Sequence, residues 1–316
     1  MRWIGYFLLA LLTTIAIGQQ TMAKNLSGEQ VLEVARKTTV VVAQDLKRGD
    51  NQALKEAFRP GSGVLVGKRG DTYYVATNFH VVNARGTDYG VRTPDGIVHF
   101  VDDEKTNDNI DAFGKYLQNR IEGSDLAIVQ FQDSKHKYPV AKINLNKNMK
   151  EPVFVAGWPD PGPKFPERTF RMTSGTLNAI LNTFEDGDYN TQYSAPTRRG
   201  MSGGPVFNQR GELIAIHGRG GGKNLAEYGE PDQDCLDSKN CFNRGISTDI
   251  LLNRAKTVSK YASLFVPPEY IPAEPTQLAQ QPSPPTASRI ENIFNDFSSL
   301  RVRLRDVPGG QLLLEP

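Results

Sequence analysis

The chain has 316 residues, enough for one large domain or two smaller ones, and its 38% hydrophobic and 23% charged residues are ordinary for a soluble globular protein. Lysine and arginine total 37 against 35 aspartate and glutamate, a formal charge of +2 at pH 7. This balance gives no electrostatic reason to expect nucleic acid or an anionic membrane as the main partner.

The amino-terminal segment is basic and then apolar. Its apolar run, residues 3–18, contains no Asp, Glu, Lys, Arg or His. As a helix the run would rise about 24 Å, less than the ~30 Å hydrocarbon core of a bilayer. Small-residue cleavage patterns follow it. The segment therefore predicts a signal peptide over residues 1–23 and export to the periplasm or the exterior; an uncleaved membrane anchor is the alternative.

The next residues change from helical to strand-like patterns. Apolar residues at helical spacing predict a helix from Ser27 to Ala35, with Ser27 as its cap. Residues 67–71 read as a hairpin turn, and the charged segment 102–120 reads as a surface loop. Short segments rich in β-branched and aromatic residues predict strands, at 38–42, 63–66, 73–76, 126–129, 153–157, 176–177, 204–207, 213–216 and 245–247.

Many short strands with little helix indicate an all-β protein, and roughly 210 residues fit two antiparallel barrels better than one. We expect residues 24–145 to hold the first helix and the first barrel. Residues 146–265 would hold the second barrel and an amphipathic helix over 249–262, capped by Thr248 or Asp249.

The carboxyl-terminal residues have a different composition. A proline-rich stretch, 266–288, cannot build a core and predicts an extended linker. Residues 289–316 form a tail in which apolar residues over 289–306 share one helical face. This predicts a short helix that docks on the body of the protein or on a partner.

The two cysteines, Cys235 and Cys241, are separated by five residues in a polar stretch. Export would place them in an oxidising compartment, which predicts one small disulfide loop. Two thiolates without a nearby histidine do not complete a zinc site, so we expect no metal there. No organic cofactor is expected either.

Three segments carry residues that are typical of nucleophilic catalysis. His80 follows an apolar strand, Asp125 heads another, and Ser202 lies among glycines in the sequence Gly-Met-Ser-Gly-Gly. Singly, each fits a structural histidine, a turn aspartate or a plain loop. Together they match a serine activated by a histidine that a carboxylate orients, with backbone N–H groups turned toward an oxyanion.

These segments resemble the active-site blocks of chymotrypsin-like serine proteases over about residues 37–262. Asp125 follows His80 by 45 residues, and Ser202 follows Asp125 by 77. The resemblance implies two chymotrypsin-like barrels acting on protein or peptide substrates. It makes His80 the general base, Asp125 its orienting group and Ser202 the nucleophile, with the N–H groups of Gly200 and Ser202 as the oxyanion hole.

The residue before the nucleophile departs from the trypsin-type pattern. Met201 stands where those members have an aspartate that pairs with a newly cut amino terminus. The chain is more similar to bacterial branches, including the periplasmic heat-shock proteases and the glutamyl endopeptidases. The former carry a PDZ module after the barrels, whereas only about 50 linker-like residues remain here.

The specificity pocket resembles that of glutamyl endopeptidases. Pro196 replaces the carboxylate that selects basic residues, and Thr197 and His217 match the hydroxyl and histidine of the glutamyl group. The resemblance makes the backbone of Gly218, Arg219 and Gly220 the edge that pairs with substrate, although the family usually has an aromatic residue there. His217 also fits a polar core residue.

The sequence therefore predicts a serine endopeptidase that cleaves after Glu or Asp. Three alternatives stay open. The first is a protease-like module that only binds partners, the second a serine protease with a small or apolar preference, and the third an esterase that uses the same site.

Overall fold

A computed structural model describes residues 24–46, 60–84, 87–102, 109–162, 167–221, 242–261 and 264. The chain divides into two units, Met1–Tyr270 and Ile271–Pro316, and all described residues belong to the first. The predicted signal peptide, proline-rich linker and tail, and the cysteine pair, lie outside the described residues. Among the helices that the structure describes, none is both long enough and apolar enough to span a membrane.

Antiparallel strands dominate the described ranges, with one helix before them and one after. The helices are α1 (Gly28–Thr38) and α2 (Thr248–Lys256). The strands are β1 (Thr39–Gln44), β2 (Gly61–Arg69), β3 (Thr72–Thr77), β4 (Tyr89–Arg92), β5 (Val98–Asp102), β6 (Ile110–Leu117), β7 (Arg120–Gln132), β8 (Pro152–Gly157), β9 (Arg171–Glu185), β10 (Tyr189–Tyr193), β11 (Pro205–Asn208), β12 (Leu213–Arg219) and β13 (Asn243–Ser247).

The first sheet has seven strands in the order β5-β4-β1-β2-β3-β7-β6. It curls around a core of β-branched and aromatic side chains that includes Val40, Val75 and Val129. The ring of His99 on β5 stacks on the ring of Phe131 on β7, with 4.5 Å between centroids. Strands that are distant in the sheet order thus approach across its interior, giving a barrel-like shape.

The second sheet is a closed six-stranded barrel in the order β10-β13-β12-β11-β8-β9. Val155, Leu177, Val206 and Ile214 fill it, each with almost no exposed surface. The prediction of an all-β fold with two antiparallel, chymotrypsin-like barrels is confirmed, with the first sheet open in strand order where a closed barrel was expected.

Both flanking helices pack against strands of the second barrel. The prediction of α1 is confirmed, and Ser27 caps it in a reciprocal pair with Gln30. Val31 of α1 shares a core cluster with Phe207 of β11. The prediction for α2 is wrong at both ends, because its cap is Ser247 and it ends at Lys256, six residues early.

The surface-loop prediction for residues 102–120 is wrong over Ile110–Leu117, which form β6 and pair with β7. Strand β6 lies at the sheet edge, and its side chains are half-buried or exposed. Ile110 and Phe113 pack against different core clusters and Tyr116 packs on Phe79, so the sequence shows no regular apolar alternation to reveal the strand. For the same reason β9 is far longer than the two residues predicted, 176–177. The predicted turn at 67–71 narrows to two residues because β2 continues to Arg69.

The two sheets meet tightly where β2 begins. The Ser62 N–H donates to the carbonyl oxygen of Ser202 at 2.7 Å, and the Thr77 hydroxyl donates to the Ser62 carbonyl oxygen at 2.7 Å. Gly203 lies against these groups with φ +84°, and a Cβ on it would overlap the Ser62 carbonyl oxygen. A glycine is therefore required where the loop of the second barrel meets the first sheet.

We expect Gly203→Ala to lower the free energy of unfolding by about 1–3 kcal/mol. The added methyl group would overlap the Ser62 carbonyl oxygen, which belongs to the first sheet and cannot shift without separating the two sheets. Urea unfolding of the two proteins measures this difference. Gly28→Ala is the matched control, since no atom lies within 4 Å of the added methyl group. Equal stability of the two variants would contradict the close approach at Gly203.

Candidate active site

His80 and Asp125 come together because their strands are neighbours. His80 lies in a 3₁₀ turn, Phe79–Val81, directly after β3, and β3 pairs with β7 so that Thr77 faces Ala127. The Asp125 carboxylate is 1% exposed and accepts the His80 backbone N–H at 2.9 Å. Its second oxygen lies 2.7 Å from His80 Nδ1. This contact places a proton on Nδ1 and leaves Nε2 as an acceptor.

The second barrel completes the surroundings of Asp125. The Tyr189 hydroxyl on β10 donates to Asp125 Oδ2 at 2.5 Å, and the Asp125 N–H donates to the Gly187 carbonyl oxygen at 2.9 Å. Burial, and after it the negative charge of Asp125, raises the pKa of Tyr189 well above its ordinary value. Tyr189 therefore keeps its proton and acts as a fixed donor.

Ser202 lies at the junction of the two sheets. Its hydroxyl donates to the Gly218 carbonyl oxygen at 3.3 Å, a long hydrogen bond. A Cβ built on Gly61 would lie 2.6 Å from a Val81 methyl group and 3.1 Å from the Ser202 carbonyl oxygen. The serine loop and Val81, the residue after His80, thus both lie against the position of Gly61 on β2.

The backbone before Ser202 has the form of an anion-binding loop. Gly200 has φ +90°. The Arg199 carbonyl oxygen accepts from the Asp160 N–H at 2.8 Å, and the Met201 carbonyl oxygen accepts from the Gly204 N–H at 2.9 Å. In a trans peptide the N–H points opposite to the carbonyl, so the N–H groups of Gly200 and Ser202 point away from these partners. Within the described residues neither N–H has an acceptor.

Thr197 is buried, and its hydroxyl is engaged inside the protein. It donates to Asn243 Oδ1 at 2.9 Å, and the Gly221 N–H donates to the same oxygen at 2.7 Å. The Asn243 amide in turn donates to the Ala195 carbonyl oxygen. Asn243 therefore links Thr197, Gly221 and Ala195 in the wall of the predicted pocket. If the Thr197 hydroxyl turned away, the Gly221 N–H would still donate to Asn243 Oδ1.

His217 is buried next to this wall. Its Nδ1 lies 2.6 Å from the Tyr193 hydroxyl, which is also 3.1 Å from the Arg244 carbonyl oxygen. Burial, and after it the charge of His80, lowers the pKa of His217 to about 3. The imidazole is therefore neutral at physiological pH and offers at most one N–H to a ligand.

The Gly218-Arg219-Gly220 segment lies next to the predicted catalytic residues and the predicted specificity pocket. Strand β11 pairs with β12 only as far as Ile216, so the following backbone extends beyond that partner. A Cβ on Gly218 would overlap the Tyr189 hydroxyl, which explains the glycine. Arg219 pairs with Asp186 at 2.9 Å and lies over the Tyr189 ring, 4.5 Å from its centroid. Its charge is thus compensated by an aspartate.

Sequence reasoning missed Tyr189, Tyr193 and Asn243. Each contacts a predicted site residue from β10 or β13, and nothing in the sequence near these residues signals such a role. Among the described residues no group of three or more His, Cys, Asp and Glu side chains is arranged to hold a metal ion.

The chain is similar to known peptidases over the described barrels. A family model described as "Trypsin-like peptidase domain" matches residues 61–216, which include His80, Asp125 and Ser202. A protein named glutamyl endopeptidase, from Staphylococcus epidermidis, is 29% identical over 173 residues. That match covers 51% of this chain and 54% of the relative, so the chain spans about half the length of the curated protein it matches.

Because His217 is buried and neutral, we expect the stability of the folded protein to depend on pH. Its unfolded-state pKa is about 6.5, and its folded-state pKa is about 3, so between these values the unfolded chain binds the extra proton. The contribution of neutral His217 to the free energy of unfolding is fully present above about pH 6.5 and is lost as the pH falls toward 3. We expect the stability advantage of the parent over His217→Gln to shrink by about 2–3 kcal/mol between pH 7 and pH 4.5.

Urea unfolding at several pH values measures this difference, and other titrating groups cancel because both proteins share them. A difference that stays constant with pH would show that His217 titrates alike in both states.

Proposed function

Because the chain belongs to the family of trypsin-like peptidases, we propose that it is a serine endopeptidase acting through Ser202, His80 and Asp125. One observation carries the proposal: a buried carboxylate holds both the backbone and Nδ1 of His80, while the Ser202 loop, with Gly200 at positive φ, and Val81, next to His80, both lie against Gly61.

The geometry supports a two-step acyl transfer. With Nδ1 donating to Asp125, the Nε2 atom of His80 takes the Ser202 proton as the hydroxyl oxygen attacks the peptide carbonyl carbon. The N–H groups of Gly200 and Ser202 bind the oxyanion that forms. The protonated His80 then gives its proton to the leaving amine, and water hydrolyses the acyl-enzyme by the same route.

We propose that the enzyme prefers Glu, or Asp, before the scissile bond. The name of the relative from Staphylococcus epidermidis supports this class of substrate. In this chain Arg219 and Arg199 both lie beside aspartates, Asp186 and Asp160. Recognition of a carboxylate would therefore depend on neutral donors from Thr197 and His217 rather than on an unpaired guanidinium group.

Both donors can be redirected at low cost. Thr197 can turn from Asn243 to a ligand because Asn243 Oδ1 keeps the Gly221 N–H. The Tyr193 hydroxyl has one proton, so donating it to His217 Nδ1 leaves the imidazole proton on Nε2. That tautomer offers an N–H to a substrate carboxylate. The opposite arrangement, with Tyr193 donating to the Arg244 carbonyl oxygen, would put the imidazole proton on Nδ1 and leave Nε2 as an acceptor, which repels a carboxylate.

The remaining organisation is proposed with this function. Residues 1–23 would direct export to the periplasm or the exterior, and a disulfide between Cys235 and Cys241 would close a short loop. Residues 24–145 and 146–265 would be the two barrel domains. Residues 266–288 would link them to the tail, 289–316, whose helix over 289–306 would contact the body or a partner.

The proposal predicts hydrolysis that depends on Ser202 and on a carboxylate in the substrate. We expect Ser202→Ala to lower kcat at least about 10⁴-fold, because the nucleophile is lost. The parent should cleave matched peptides after Glu at least about 10-fold more efficiently than after Gln, since a charged acceptor strengthens both hydrogen bonds. Peptides with Asp, Leu and Arg at the same position complete the kcat/KM measurement.

The outcomes separate the alternatives. Preference for Leu would favour the apolar pocket and reject the roles of Thr197 and His217. Hydrolysis of esters but not of peptides would favour an esterase. Folded parent protein with no hydrolysis would favour the binding module, and equal activity of Ser202→Ala would reject the nucleophile.

The proposal also assigns Tyr189 a positioning role at Asp125. We expect Tyr189→Phe to lower kcat about 10-fold with little change in KM, because a hydrogen bond to a charged group is worth about 1.5–3 kcal/mol. Steady-state kinetics measure both constants. Tyr73→Phe is the control, since it removes another buried hydroxyl, one that donates to the His136 carbonyl oxygen in the first sheet. Equal effects of the two substitutions on kcat would contradict the role.

A further inference from the structure

An ion pair between a buried arginine and a partly exposed aspartate lies beside the loop that precedes Ser202. Arg168 Nη2 lies 2.5 Å from Asp160 Oδ1, and the Arg168 side chain is 1% exposed. Arg168 Nη1 donates to the Trp158 carbonyl oxygen at 2.5 Å. The pair therefore fixes the segment that follows β8, residues 158–160, to Arg168, three positions before the start of β9.

This ion pair touches the predicted oxyanion loop directly. A Cβ built on Gly200 would lie 2.7 Å from Arg168 Nη1, 2.7 Å from the Asp160 backbone nitrogen and 2.8 Å from Asp160 Oδ1. The same Asp160 N–H donates to the Arg199 carbonyl oxygen at 2.8 Å. That carbonyl belongs to the peptide unit whose N–H is the Gly200 N–H.

The peptide unit is rigid, so fixing one end fixes the other. Rotating it by half a turn would point the Arg199 carbonyl oxygen where the N–H now points, and an oxyanion would meet a lone pair instead of a donor. Asp160 resists this rotation only while its own backbone stays in place. The Arg168 fork, which bridges Asp160 Oδ1 and the Trp158 carbonyl oxygen, keeps it there.

The next peptide unit, between Gly200 and Met201, is held by Ser62, which also binds the backbone of Trp158 in the same segment. The Ser62 hydroxyl donates to the Gly200 carbonyl oxygen at 2.8 Å and accepts the Trp158 N–H at 2.8 Å. Met201 is 1% exposed and packs in the apolar core of the second barrel, so it offers no charge to anchor the loop. Residues 158–160 and Ser62 thus hold the two peptide units on either side of Gly200.

We propose that Asp160 and Arg168 are positioning residues that hold the Gly200 N–H in the orientation that binds the oxyanion. The inference rests on the proposed endopeptidase function. A buried arginine without its carboxylate is costly, so the pair also contributes to folding. A test must therefore separate the orientation of one N–H from general stability.

The experiment compares purified parent, Arg168→Met and Lys147→Met at a temperature where all are folded. Lys147→Met is the control, because Lys147 is also buried and pairs with Asp249 at 2.5 Å on α2 of the same barrel unit. Two inhibitors with one peptide sequence are measured. An aldehyde forms a hemiacetal oxyanion with Ser202, whereas the corresponding alcohol binds without one.

We expect Arg168→Met to lower kcat about 30- to 100-fold and to weaken aldehyde binding by a similar factor, with KM and alcohol binding changed less than about 2-fold. One misplaced oxyanion donor costs about 10²–10³ in kcat, so partial misplacement fits this range. Lys147→Met should leave all four quantities near the parent values. Asp160→Asn, which keeps the side-chain shape, gives the same pattern if Arg168→Met does not fold.

Three results would overturn the inference. One is an unchanged kcat in a folded Arg168 or Asp160 variant. Another is equal weakening of aldehyde and alcohol, which would indicate a distorted pocket instead of a turned peptide. A third is the same kcat loss in Lys147→Met. A parent protein that hydrolyses no peptide would overturn the proposed function itself, and this inference with it.

Discussion

The arrangement of the site depends on the burial of the Asp125 carboxylate between the two sheets. A carboxylate away from water must have its oxygens satisfied by hydrogen bonds. The first sheet supplies two donors, the backbone N–H and Nδ1 of His80, and the second barrel supplies the Tyr189 hydroxyl. Asp125 is therefore satisfied only when both sheets are folded and in contact.

The close approach of segments that are distant in the chain explains several glycines that are otherwise unremarkable. Gly203 avoids the carbonyl oxygen of Ser62, Gly218 leaves room for the Tyr189 hydroxyl, and Gly200 lies on the Asp160–Arg168 ion pair. Each lacks a side chain because a group from a distant part of the chain occupies that space. Small residues here reflect tertiary packing as much as local backbone conformation.

Polar residues at the junction combine structural and positioning roles. The Ser62 hydroxyl links the Gly200 carbonyl oxygen to the Trp158 N–H, and the Ser62 N–H binds the Ser202 carbonyl oxygen. Such a network is stable only when every member is paired. Met201, in the same loop, packs as an apolar core residue and adds no charge to this network.

The sequence by itself determined the local features. The cap at Ser27, the buried strands and the segments around His80, Asp125 and Ser202 follow from neighbours a few residues apart or from simple periodicity. The edge strand β6 and the length of β9 did not, because their side chains show no regular alternation of apolar and polar residues. Tyr189 contacts a residue 64 positions away, and Ser62 one 138 positions away. Only the tertiary structure decides such contacts, because they depend on how two separately folded sheets are placed against each other.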